Sequence, residues 1–273
     1  MSASGHTGAL ARRQWTYRAS ASDRVLPRGS DRNGAVKGAI VQKAQNGHVR
    51  VLEEDLVLLA AVPASSRKAA RQGLQATMVS AGRGVWNMDE VIDPSALGIL
   101  VLEGLLTRNI EIAGTSSSEI LGPSDVLRPW DDDSELQPVP SETTWTVLEP
   151  VACAILDQRW RVLAGRWPNL GAEILHRVLR RSRRLAVLNA ITNRRGIEGR
   201  VLLLLWHLAG NWGRVTPAGT LVPFGLTHGV IADLVGARRP SISTALTSLE
   251  HSRKLERVEE GWLLRGDPPA SGG

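Results

Sequence analysis

The 273-residue chain carries 33 Lys and Arg against 27 Asp and Glu, is 42% hydrophobic and holds one cysteine. That length suffices for two domains with cores of their own, while a lone Cys153 excludes an intramolecular disulfide and any cysteine-ligated zinc or iron–sulfur cluster within one chain. The longest apolar runs, residues 56–62 and 201–206, fall well short of the roughly 18 residues that a membrane span requires, so a cytoplasmic protein with no membrane partner is expected.

The charge is segregated. Residues 1–50 hold nine basic side chains against two acids, residues 51–155 hold six against sixteen, and residues 156–273 hold eighteen against nine. Nucleic acid is therefore expected on the C-terminal part, with the N-terminal segment as a second basic region.

Residues 1–48 mix Arg, Ser, Gly and Asn without periodicity and read as a basic, disordered tail that lacks the apolar core of a signal peptide. From residue 49 apolar segments begin. Residues 63–78 predict a short helix, and the short runs 84–88, 97–102, 105–113, 119–127, 143–148 and 152–156, separated by Gly, Pro and Asp, predict a small antiparallel barrel or sandwich over 49–156. Residues 131–141, with three aspartates and two prolines, read as a loop. Asp157 then caps a helix, Pro168 starts a longer one reaching about Ile191, and residues 157–196 form a helical segment. On the longer helix Leu175, Val178, Ser182, Leu185 and Asn189 alternate steps of three and four, the spacing of a dimerisation seam, with Arg180, Arg181, Arg183 and Arg184 flanking it.

The stretch LTHGVIADLVGARRPSISTALTSLE, residues 226–250, has the grammar of two helices joined by a tight turn. Thr227 caps the first helix, whose small Ala232 lets a neighbour approach. Gly236 takes a left-handed turn conformation. Arg238 and Arg239 open the second helix with Pro240 in its first turn, and Ile242, Ala245, Leu246 and Leu249 share one face. The spacing small–Gly–apolar at 232, 236 and 242 fits a helix-turn-helix. Apolar residues 201–209 upstream, two extended pieces around Pro217, Ala218 and Gly219, and a hairpin turning near 259–261 complete a winged helix over 197–267.

At these residues the chain resembles the Crp/Fnr type of bacterial regulator, the cyclic-AMP receptor protein superfamily. SSEILGPSDVLRPW resembles the Gly-rich turn of that family's sensor domain. The resemblance implies an α+β fold: an N-terminal antiparallel β-barrel of the cyclic-nucleotide-binding jelly-roll kind, a long dimerisation helix and a C-terminal winged helix-turn-helix. It implies a homodimer that binds double-stranded DNA and regulates transcription, with RNA polymerase and an unidentified small-molecule effector as further candidate partners. In the DNA-facing helix Arg239 is expected to pair with guanine, and Ser243 and Thr244 to touch bases. Thr227, Ser241, Arg238 and the wing residue Arg257 are expected on phosphates.

Two departures from the family qualify this. The family's phosphate cassette has a Gly-Glu pair and an arginine followed by Ser or Thr, whereas Gly122, Pro123, Ser124 and Asp125 lead here to Arg128 and then Asp131, Asp132 and Asp133. Cyclic AMP and cyclic GMP are therefore not expected to bind. Pro240 stands where many members carry an acid, and Arg238 where a Ser or Thr cap is common, so no family operator carries over. Haem or metal cofactors are not expected, because Cys153 is alone and His48, His176 and His207 lack ligand spacing. No nucleophile–base pair or phosphate loop points to an enzyme. The alternative reading is a winged-helix module for protein interaction or for nonspecific nucleic-acid binding, without an operator.

Overall fold

The computed structural model describes residues 41–91, 93–129 and 139–269. The aspartate loop at 131–133 and the tail up to residue 40 lie outside the described residues. Strand β1 (Val41–Arg50) begins inside the segment expected to be a disordered tail and pairs with β2 (Gln75–Ala81). Between them stand three short helices, α1 (Val51–Glu54), α2 (Leu56–Ala60) and α3 (Arg67–Gly73). The helix predicted over 63–78 thus ends at Gly73, and the β-prone residues after it join the sheet.

The sheet continues with β3 (Gly84–Val85), β4 (Gly98–Ile112), β5 (Thr115–Leu121), β6 (Val126–Leu127) and β7 (Glu142–Leu156). The order is β1-β2-β7-β4-β5, with β3 also on β7 and β6 also on β4, all antiparallel. Of the expected barrel or sandwich the antiparallel sheet is present, but it is open: among the described residues no ladder joins β1 to β5. Four of the expected short strands are two long ones. β4 runs through Gly104 and β7 through Pro150, which the sequence presents as breaks and the fold uses as irregularities in pairing between Val101 and Leu106. Gly104 has φ +84°, and a Cβ there would lie 2.1 Å from the Pro150 carbonyl oxygen, so only glycine allows the two strands this approach. Successive side chains of a strand point to opposite faces, so the neighbours Leu106 and Leu105 serve different cores: Leu106 packs with Trp86, Leu121 and Trp145, while Leu105 packs with the C-terminal helices. Cys153 belongs to the inner cluster, and burial pushes its thiol up to about 12, leaving it neutral and inert at physiological pH.

Helix α4 (Gln158–Ala164) starts where Asp157 Oδ1 accepts from the Trp160 N–H at 2.7 Å. Helix α5 (Pro168–Thr192) follows, then α6 (Ile197–Trp212). The remainder is β8 (Arg214–Thr216), β9 (Gly219–Val222), α7 (His228–Val235), α8 (Arg239–His251), β10 (Leu255–Val258) and β11 (Gly261–Leu264). These four strands form a second antiparallel sheet ordered β10-β11-β9-β8. No described helix is long and apolar enough to cross a membrane.

Candidate nucleic-acid interface

Helix α7 starts where Thr227 Oγ1 accepts from the Val230 N–H at 3.3 Å, and it ends at Gly236, whose φ of 61° and ψ of 49° are left-handed. The turn is closed by the Ala237 N–H donating to Ala232 at 3.0 Å. Helix α8 then begins at Arg239 behind an extended Arg238, with Pro240 in the first turn, where its missing N–H needs no partner. Ile231, Ala232 and Val235 of α7 and Ile242, Ala245, Leu246 and Leu249 of α8 are buried on Val201, Leu204, Leu205 and Leu208 of α6. Each large aliphatic side chain buried there contributes about 1.5–3 kcal/mol, enough in sum to hold the opposite face of α8 in one position.

That opposite face is exposed at Arg238, Arg239, Pro240, Thr244 and Thr247, and half-exposed at Ser241 and Ser243. It bears no acid before Glu250 at its far end. Thr244 Oγ1 donates to the Pro240 carbonyl at 3.2 Å and Thr247 Oγ1 to the Ser243 carbonyl at 3.0 Å. His228 joins this surface from α7, its Nδ1 2.9 Å from Ser243 Oγ. Sequence reading missed His228, since only the crossing of the two helices brings it to Ser243, fifteen residues later.

Arg257 on β10 is placed differently from the α8 cluster. Its guanidinium lies 4.6 Å from the Trp262 ring centre and donates to the Leu226 carbonyl at 3.3 Å, tying the hairpin to the loop that precedes α7. Arg257 is nevertheless exposed, and these contacts use only part of its five N–H donors.

Helix α5 has two unlike faces. Leu175 is 58% exposed, Val178 and Leu179 are close to half-exposed, and Ser182 and Asn189 are exposed. Leu185 is not among them. It is half-buried and lines a small hollow with Leu188, Leu204 and His207. Burial, and then the nearby Arg184 charge, pull the His207 pKa down, so its imidazole is neutral at physiological pH.

On the other face of α5, Arg177, Arg181 and Arg184 turn into their own chain, while Arg183 is exposed. Arg177 forms a buried bidentate pair with Asp55, Nη1 to Oδ2 at 2.5 Å and Nη2 to Oδ1 at 2.9 Å. Arg181 grips Glu119 of β5 at 2.6 and 2.7 Å, and Arg184 bonds to Asp125. Burial opposes the charge on Arg177 and on Arg181, but the hydrogen bonds and charges of their carboxylates outweigh it and raise both pKa values. Arg184 also lies 5.0 Å over the Trp212 ring, whose indole N–H donates to the Pro123 carbonyl at 3.3 Å. In the Gly-rich turn, Arg128 donates to the carbonyls of Ala96 and Leu97 at 2.6 and 3.1 Å.

No protein-family model matches the sequence, and no curated protein matches it closely enough to count as a relative. Solved structures do match. A cyclic nucleotide-binding domain containing protein from Listeria monocytogenes EGD-e aligns with TM-score 0.56 and 18% identity, covering 77% of this chain and 96% of its own. A CooA variant from Carboxydothermus hydrogenoformans aligns with TM-score 0.52 and 15% identity over 83% of this chain and 94% of its own. FixK2 from Bradyrhizobium japonicum gives 0.50 and 15% over 70% and 93%. The chain has the Crp/Fnr-type fold. Identities this low establish the Crp/Fnr-type fold alone, and the uses of its surfaces have to be argued from the side chains.

Proposed function

We propose that the chain is a homodimeric, sequence-specific double-stranded DNA-binding transcription regulator of the cytoplasm, not an enzyme, acting without cyclic nucleotide. The observation that carries this is α8: a helix fixed from behind by the α6 and α7 core, presenting Arg239 at its N-terminal end and short hydroxyl side chains beyond it. In this reading residues 197–267 are a winged helix-turn-helix with α8 in the major groove, 49–156 a degenerate sensor and 157–196 the dimerisation helices. Arg239, Ser243 and Thr244 face bases; Thr227, Arg238 and Ser241 face phosphates, as does Arg257 from the hairpin.

Two features favour independence from cyclic nucleotides. Trp86, Met88, Leu106, Leu121 and Trp145 pack into one buried cluster on the sheet, and Arg128, the one arginine in the Gly-rich turn, is hydrogen-bonded to backbone carbonyls. The exposed apolar side of α5 supports a second copy as partner, with Leu179 added to Leu175, Val178, Ser182 and Asn189. Leu185 serves the contact between α5 and α6. RNA polymerase and an effector of another kind are further partners in this reading.

The test is binding of the purified chain to genomic fragments, followed by footprinting. Discrete, two-fold symmetric footprints are expected. Salt-sensitive binding that protects every sequence alike would favour a nonspecific module instead.

A further inference from the structure

Ser243 Oγ has two neighbours within hydrogen-bond distance, His228 Nδ1 at 2.9 Å and the Arg239 carbonyl oxygen at 3.3 Å. A hydroxyl has one proton and two lone pairs. Either the proton goes to Arg239 and the imidazole donates from Nδ1, or the proton goes to Nδ1. In both arrangements it is committed inside the protein, and the outward side of Oγ offers a lone pair only. The Thr244 and Thr247 hydroxyl protons are likewise held by backbone carbonyls. The face of α8 thus presents a donor at Arg239, followed one turn later by acceptors.

Resting on the DNA-binding reading above, we infer that His228 is a positioning residue for base recognition, which makes Ser243 select a base carrying an amino group in the major groove. Adenine N6 and cytosine N4 donate to such a lone pair, whereas guanine O6 and N7 and thymine O4 are acceptors and are repelled by it. The four residues from Arg239 to Ser243 advance ~6 Å along α8, close to two base-pair steps of ~3.4 Å. The amino-bearing base therefore lies about two pairs from the guanine held by Arg239. Without His228 only the long 3.3 Å bond within its own helix opposes an outward turn of the hydroxyl proton, so the preference for a lone pair facing the base weakens.

The experiment is selection of duplexes from a randomised library by the full chain and by His228→Ala, His228→Asn and Ser243→Ala. Asparagine retains a nitrogen donor close to where Nδ1 stands. The parent and His228→Asn are expected to enrich guanine together with adenine or cytosine at the second position. His228→Ala and Ser243→Ala should keep the guanine and lose about fivefold in the second preference, the order of one hydrogen bond. A purely structural role for His228 would weaken all sequences alike and leave both preferences intact. An unchanged second preference in His228→Ala, or guanine or thymine there in the parent, overturns the inference while the DNA-binding reading stands. Failure of the parent to enrich any sequence removes both.

Discussion

Arg177→Ala should lower the stability of the chain by about 3–5 kcal/mol, read as a shift of the urea unfolding midpoint, because it leaves the Asp55 carboxylate buried without its partner. Arg177 is 3% exposed and Asp55 7%, so little water reaches the abandoned charge. Asp55 has a second duty that sharpens the test: its Oδ1 accepts from the N–H groups of Val57 at 3.2 Å and Leu58 at 3.1 Å, capping α2. Arg177→Met with Asp55→Asn, which removes both charges and keeps a capping oxygen, should recover most of the loss. The control is Arg180→Ala on the same helix, where the side chain is 43% exposed and pairs with Glu173, and the expected change is below about 1 kcal/mol. Equal midpoints for Arg177→Ala and Arg180→Ala would mean that the buried pair does not hold α5 to the rest of the chain.

Leu175→Glu combined with Leu179→Glu should give a monomer. Neither side chain is buried within its own chain, so the substitutions leave the intramolecular core intact, and circular dichroism should be unchanged. In a dimer joined along this face they would place four carboxylates in an apolar seam, at a cost of several kcal/mol. Sedimentation should show the variant at half the parent mass, with DNA affinity lost alongside, since two half-sites can no longer be engaged together. A variant that still sediments as a dimer would place the contact elsewhere. Leu185, part of the seam by spacing alone, is a poor choice for this test, because a charge there would disturb the packing of α5 on α6.

What the sequence made legible is what local chemistry dictates. Asp157, Thr227 and Gly236 act within a few residues of themselves, and the helix starts and the turn they specify stand where spacing put them. The long strands were hidden because Gly104 and Pro150 look like ends of elements; only when β4 and β7 lie side by side does one accommodate the other. The inward turn of Arg181 and Arg184, read only as flanking the seam, was hidden for a related reason. Residues 177, 181 and 184 repeat at four and three and so share a face, but their partners Asp55, Glu119 and Asp125 lie 59 to 122 residues away. The bond between His228 and Ser243 likewise leaves no periodic trace, although it bears on how α8 can read a base.

The central claim, that α8 reads bases rather than merely attracting phosphate, is tested most directly by comparing Arg239→Ala with the parent on a selected operator and on single-base variants of it, across a salt titration. The account predicts a loss of about 1–3 kcal/mol per half-site, with discrimination flattened at one base pair and retained at the others. A uniform loss over all sequences, with base preference intact and a salt slope lower by roughly 0.9 per contact, would show Arg239 to be a phosphate contact and would contradict the placement of α8.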